Sequence, residues 1–214
     1  MIIMKKMMQM NDKAQRFVCM LLCGWIALCL YSCHDGQLAE ELEGTWHTSY
    51  TMKDENGIPY TEEQKVKFMC VESNSKDGGR FMEQVTAEIE NEEENINVRC
   101  KTICTISGEW EIIGGDLYMT YNLSSMDVEV KDMNYELSEN TALGFDILGI
   151  DRIKLEDNIT EEIRRNSYRE MYKVYQQSNK ETDQGFCFED LSIEGDSMSY
   201  NTSDFGRIKW MRIK

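Results

Sequence analysis

Three successive segments restrict the fold of this chain more than any other feature. They are "RFMEQVTAEIE" (80–90), "INVRCKTICTIS" (96–107) and "GEWEIIGGDLYMTYN" (108–122). In the first, Phe81, Val85, Ala87 and Ile89 alternate with polar residues, the period of a half-buried strand. The acidic run "NEEEN" between the first two reads as a solvated hairpin tip rather than a metal site. Gly114-Gly115-Asp116 splits the third into two strands by a short hairpin turn. Period-two segments joined by such turns make an antiparallel meander, not a helical bundle.

The rest of the chain follows the same rule, with one exception. "TWHTSYTMKD" (45–54) and "KVKFMCVES" (65–73) read as earlier strands. Asp54-x-Asn56-Gly57 between them is a fragment of a calcium-loop pattern; without the downstream ligands it reads as a turn. A further strand is expected at 126–131, and "GFCFEDLSIEG", "DSMSYNTSD" and "GRIKWMRIK" close the chain. The exception is about 158–178. There Ile159, Ile163, Tyr168, Met171, Tyr172 and Tyr175 fall on one helical face, with Asn158 or Thr160 able to cap it. The expectation is a mainly β protein of eight to ten antiparallel strands, a sandwich or an up-and-down barrel, with one inserted amphipathic helix.

The N-terminus has a different character. Residues 1–16 carry Lys5, Lys6, Lys13 and Arg16 against Asp12, and "FVCMLLCGWIALCLYS" (17–32) has no charge. Sixteen residues are short for a bilayer span, which takes about 20, but suit the apolar region of a secretory signal. The run ends Leu30-Tyr31-Ser32-Cys33, which resembles the lipobox of bacterial lipoproteins. That resemblance implies cleavage before Cys33 and lipid attachment to it. The division expected is 1–32 signal peptide, 33–43 tether with a brief helix through "QLAEELEG" that Gly44 ends, and 44–214 barrel domain, with an insertion at about 123–185. The alternatives for the leader are an uncut signal anchor and a buried core helix.

Charge and cysteines narrow the partners. The chain has 23 basic and 39 acidic residues; residues 1–32 hold four and one of these, leaving 19 against 38, a net of about −19. Such a chain repels phosphate backbones, so nucleic acid is not an expected partner. Removal of the leader and lipidation of Cys33 leave Cys70, Cys100, Cys104 and Cys187. On one strand Cys100 and Cys104 would lie roughly 13 Å apart, beyond the reach of a disulfide, about 7 Å between Cα atoms. Bridges would therefore link each of them to Cys70 or Cys187. The alternative is four buried thiols acting as small apolar residues.

"LEGTWHTS", "SGEWEIIGGDLYMTYN" and "GRIKWMRIK" together resemble the lipocalin-like lipoproteins of gut Bacteroidales and their relatives. The matching positions are Gly44 and Trp46, then Gly108, Trp110, Gly115, Asp116 and Leu117, then Trp210 and Arg212. The resemblance implies a closed up-and-down barrel, and a stack of Arg212 on Trp46 at its closed end. It also implies a place in the cell envelope, held by lipid, most naturally at the outer membrane.

Catalytic patterns are not found. His34 and His47 accompany no nucleophile motif, and the cysteine spacing forms no zinc pattern. Gly-x-Ser-x-Gly, His-Glu-x-x-His, P-loop and dinucleotide fingerprints do not occur. No enzyme activity, cofactor or metal is expected. Two functions stay open. One is a barrel binding a small apolar ligand, for which Phe68, Phe81, Tyr118, Met119, Tyr121, Phe186 and Phe188 are apolar stock. The other is a filled barrel serving as a structural or interaction lipoprotein of an envelope complex.

Overall fold

The structure is a computed structural model that describes residues 34–53, 59–70, 77–92, 95–149, 151–183, 185–202 and 206–213. The leader and Cys33 lie outside the described residues. Among those described, no helix is long and apolar enough to cross a membrane.

Strand β4 (Ile96–Ile113) shows how alternation becomes a wall. Val98, Cys100, Thr102, Cys104, Ile106, Trp110 and Ile112 are buried, while their neighbours are half-buried or exposed. Seven more strands share this logic: β1 (Gly44–Lys53), β2 (Pro59–Cys70), β3 (Gly78–Glu92), β5 (Asp116–Leu137), β6 (Phe186–Glu194), β7 (Ser197–Thr202) and β8 (Gly206–Ile213). Each pairs antiparallel with the next, and β8 returns to β1 through Trp46↔Arg212 and its neighbours. The result is a closed eight-stranded up-and-down barrel. Closure removes the unpaired edges that an open sheet would present.

Two expectations about the elements are corrected. Segments 96–107 and 108–113 form one strand, because Gly108 does not break it. A Cβ at Gly108 would lie 2.1 Å from the Thr120 carbonyl oxygen and 2.6 Å from the Phe81 ring, so the glycine is the space the ring fills. Gly79 stands the same way against Trp110, its cross-strand partner. An aromatic ring laid over a strand glycine recovers the packing the glycine lacks. Likewise 116–122 and 126–131 are one strand. Between Thr105↔Asp127 and Ser107↔Asn122, β4 advances two residues and β5 five, so a bulge absorbs the irregular sequence. Ser125 Oγ holds it, accepting from Ser107 N at 2.9 Å and donating to the Asn122 carbonyl at 2.7 Å.

The insertion therefore begins after Leu137, not near 123, and holds two helices rather than one. Helix α2 (Glu139–Leu148) ends at Gly149 in the left-handed conformation, φ 65°. Helix α3 (Arg152–Ser178) starts earlier than the periodic face suggested. Its cap is Asp151, whose carboxylate accepts from Ile153 N at 3.0 Å, not Asn158 or Thr160. We number the N-terminal helix over 34–42 as α1. The brief helix expected through "QLAEELEG" is this one, extended back over the tether to residue 34, with Leu38, Ala39 and Leu42 buried against the barrel.

Candidate functional site

The barrel has one closed end. The β4–β5 turn there is two residues, Gly114 and Gly115, at φ 64° and 91°, which suits a hairpin needing positive φ at both positions. Both amides donate to the Asp35 carboxylate of α1 at 2.9 Å. The other end of α1 is held as firmly. Trp46 Nε1 donates to the Leu42 carbonyl at 2.8 Å, and the Arg212 guanidinium donates to the carbonyls of Glu41 and Glu43. Arg212 Cζ also lies 4.2 Å from the centre of the Trp46 ring. A cation on the last carbonyls of a helix complements its dipole. Gly44 makes this possible: its φ is 133°, and a Cβ there would sit 2.7 Å from Arg212 Nη1. Trp46 and Arg212 thus form a structural clasp at the closed end.

Above this plug the interior is not filled. A cavity of about 880 Å³ opens toward the mouth between the ends of β1, β2, β7 and β8 and the C-terminal turns of α3. Its wall is largely apolar: Phe68, Met119, Phe186, Phe188, Met198 and Trp210. Phe81, one of the apolar residues singled out in the sequence, packs beneath it, 5.3 Å from the Tyr121 ring centre. Tyr118 is corrected: alternation turns it outward, where it hydrogen-bonds with Cys187.

Helix α3 completes the wall where the sheet is thinnest. β5 and β6 share only the pairs Leu117↔Phe188, Tyr118↔Cys187 and Met119↔Phe186. One step higher, the Asn179 side chain takes the place of a strand. Its Oδ1 accepts from Tyr121 N and its Nδ2 donates to the Tyr121 carbonyl, both at 2.8 Å. One turn back, Tyr175 is buried with its ring centre 4.6 Å from that of Tyr121. Tyr168, Met171 and Tyr172 continue this face against the core.

A polar cluster lies inside this apolar wall. Glu83 of β3 occupies an inward position between Phe81 and Val85, 7 % exposed. The Tyr121 phenol hydrogen-bonds with its carboxyl group. Its Oε2 has no hydrogen-bond partner among the described residues, and neither has the buried Tyr175 hydroxyl. Burial drives the Glu83 carboxyl up to about 7; the Tyr121 hydrogen bond opposes this and the Glu62 charge adds to it. Burial likewise raises the phenols of Tyr50, Tyr121, Tyr175 and Tyr200. Nearer the mouth, Tyr50 donates to Glu62, and Gln64 donates to both. Tyr200 accepts from Trp210 Nε1 at 2.8 Å.

Sequence reasoning missed Glu83, though a signal existed: it is an acid at a position where the alternation of 81 and 85 calls for an apolar residue. The four described cysteines, Cys70, Cys100, Cys104 and Cys187, are free thiols, so none of the bridges left open by their spacing forms. Cys70 donates to the Ala39 carbonyl at the closed end, and Cys187 faces outward beside Tyr118. Cys100 and Cys104 are buried on the inner face of β4, with the Cys104 thiol pushed up to about 12 by burial. His34 and His47 are exposed. Among the described residues, no group of three His, Cys, Asp or Glu side chains is placed to hold a metal ion.

Fold and site together define a closed β-barrel with an internal, mouth-accessible cavity lined by apolar residues around one buried carboxyl group. A scan against models of known protein families finds no match, and a comparison with curated protein sequences finds none either.

Proposed function

We propose that this protein is a lipid-anchored lipoprotein of the bacterial cell envelope that holds a small, largely apolar molecule inside its barrel. Its resemblance to the lipocalin-like lipoproteins supports the barrel and the envelope location, and no catalytic step is assigned to it. The observation that carries the reading is the unfilled interior. About 880 Å³ lies within the range of small-molecule sites, roughly 300–1,000 Å³. Apolar walls with a few convergent polar groups are also typical of such sites. The anchor rests on the lipobox resemblance at Cys33. Stable attachment by acyl chains requires more than one, each buried CH₂ contributing about 0.8 kcal/mol. Because α1, described from residue 34, is fixed to the closed end, an anchor at Cys33 would turn the mouth away from the membrane.

One observation favours the second reading, an interaction lipoprotein. Leu143, Ile147 and Leu148 of α2, with Ile153, expose 60–75 % of their surface. The two readings part on one experiment. Protein purified from its native envelope is extracted with organic solvent, and the extract is analysed by mass spectrometry. A stoichiometric apolar compound supports the ligand-binding reading. An empty barrel that also fails to take up a neutral apolar fluorophore refutes it. Intact-mass analysis of the same sample tests the anchor: an unmodified N-terminus that begins before Cys33 refutes it.

A further inference from the structure

We propose that the occupant of the barrel is an amphiphile whose positively charged amine seats on Glu83 near the cavity floor, with its apolar body directed toward the mouth. The inference rests on the ligand-binding reading above and names the chemistry of that site.

The first ground is the pair of unpartnered acceptors. Glu83 Oε2 and Tyr175 Oη are both buried, both belong to cavity-lining residues, and neither has a hydrogen-bond partner among the described residues. Buried polar atoms without partners are rare, and each destabilises the empty protein. An alkylammonium offers three N–H donors and no acceptor, as lysine does, so its chemistry suits acceptor oxygens such as these. A carboxylate ligand offers only acceptors and would meet Glu83 with repulsion.

The second ground is charge. Among the described residues no cation acts on Glu83: its neighbours are the Tyr121 phenol and the Glu62 carboxylate of β2. The other titratable groups coupled to it are Tyr50 of β1, Cys104 of β4, Tyr200 of β7 and Tyr175 of α3. The cations of the lining, Arg207 and Lys209, belong to β8 by the mouth, and Arg207 is engaged with Ser199 Oγ at 2.8 Å. A carboxyl group surrounded by acids and phenols lacks the counter-ion that a buried charge needs.

The third ground is the aromatic surroundings. Tyr121, which hydrogen-bonds with the carboxyl group, and Tyr175 bring two aromatic rings into the same cluster, their centres 4.6 Å apart. The faces of such rings attract ammonium groups but not alcohols or carboxylates. Glu83 stands one inward step above Phe81, and Phe68 and Phe81 form the floor, 6.4 Å apart. An amine on Glu83 is therefore deep in the barrel, and the chain that carries it has only the apolar wall to lie against.

The test uses three ligands with one tail: octylamine, octanol and octanoate. Each competes with N-phenylnaphthylamine, a neutral fluorophore, for the full-length protein. At about pH 8 octylamine should displace the fluorophore at least tenfold more tightly than octanol, and octanoate should be weakest. Below the Glu83 transition near 7 the advantage should fall about tenfold per pH unit, because the amine requires the ionised carboxylate. Octanol should show no such dependence. Glu83→Gln should bring octylamine to the level of octanol at every pH; the wild-type pH series stands by itself if that variant folds poorly. Equal binding of amine and alcohol, or preference for octanoate, overturns the amine assignment while leaving a ligand-binding barrel intact. No uptake of the fluorophore or of any competitor overturns both.

Discussion

Glu83 makes the empty barrel less stable at neutral pH than at acid pH, and removing its charge should reverse that. The unfolded carboxyl group titrates near 4.5 and the folded one near 7. The raised folded value means that the native state binds the proton more tightly. Stability from this group is therefore fully present below about pH 4.5 and is lost as pH rises through 7. A difference of about 2.5 units at about 1.36 kcal/mol each gives a loss of about 3 kcal/mol. Glu83→Gln keeps the shape and an oxygen to accept from Tyr121 but carries no charge. The variant should match the wild type near pH 4 and exceed its stability by about 3 kcal/mol near pH 8. Urea unfolding at a series of pH values measures this, and the difference between the two proteins cancels the other carboxylates. A difference that does not change with pH, or a variant that loses ground as pH rises, would refute the account of a charged and unpaired Glu83.

Four further outcomes follow from the same geometry. Tyr121→Phe removes the hydrogen bond that opposes the shift, so the Glu83 titration should move above 7 in carbon-detected NMR. Arg212→Met removes the stack on Trp46 and the bonds to the carbonyls of Glu41 and Glu43; a loss of about 2–4 kcal/mol is expected, read by urea unfolding. Asp35→Ala strips the acceptor from Gly114 and Gly115, and should cost about 2–3 kcal/mol with faster amide exchange confined to α1 and that turn. The raised phenols of Tyr50, Tyr121, Tyr175 and Tyr200 mean that stability falls as pH climbs beyond about 10, where unfolded tyrosines ionise first. Tyrosinate absorbance should accordingly appear in two stages, the second coincident with loss of structure.

The alternation in 80–122 was enough to read the meander, because each inward residue of a strand is set by its immediate neighbours. Closure into a barrel came from the resemblance, since alternation alone also allows a sandwich. The reading of Gly108 as a point between strands failed for a long-range reason: Phe81, from another strand, occupies its missing Cβ. Asp151 lies outside the strongest part of the helical face, so the periodic residues placed the start of α3 too late. Asn179 is a polar residue after a helix by sequence, and only the folded chain gives it the backbone of Tyr121 as a partner. The buried acid is different in kind. Glu83 sits in phase with Phe81 and Val85, so its inward direction was legible even though its partners were not.

The two ends of the barrel divide the work. At the closed end every exposed backbone group of α1 and the β4–β5 turn that the clasp touches finds a charged or aromatic partner in Asp35, Trp46 or Arg212. Inside, by contrast, the chain keeps a carboxyl group that costs about 3 kcal/mol at neutral pH, against a total of about 5–15 kcal/mol for a typical domain. An apolar residue at 83 would remove that cost and extend the floor formed by Phe68 and Phe81. The penalty and the charge-dependent part of the proposed affinity then share one origin. A cation that neutralises Glu83 offsets what the charge forfeits when the barrel is empty. A ligand's effect on stability should therefore grow with pH in step with the deficit of the unliganded protein, and should stop growing once the carboxyl group is fully ionised.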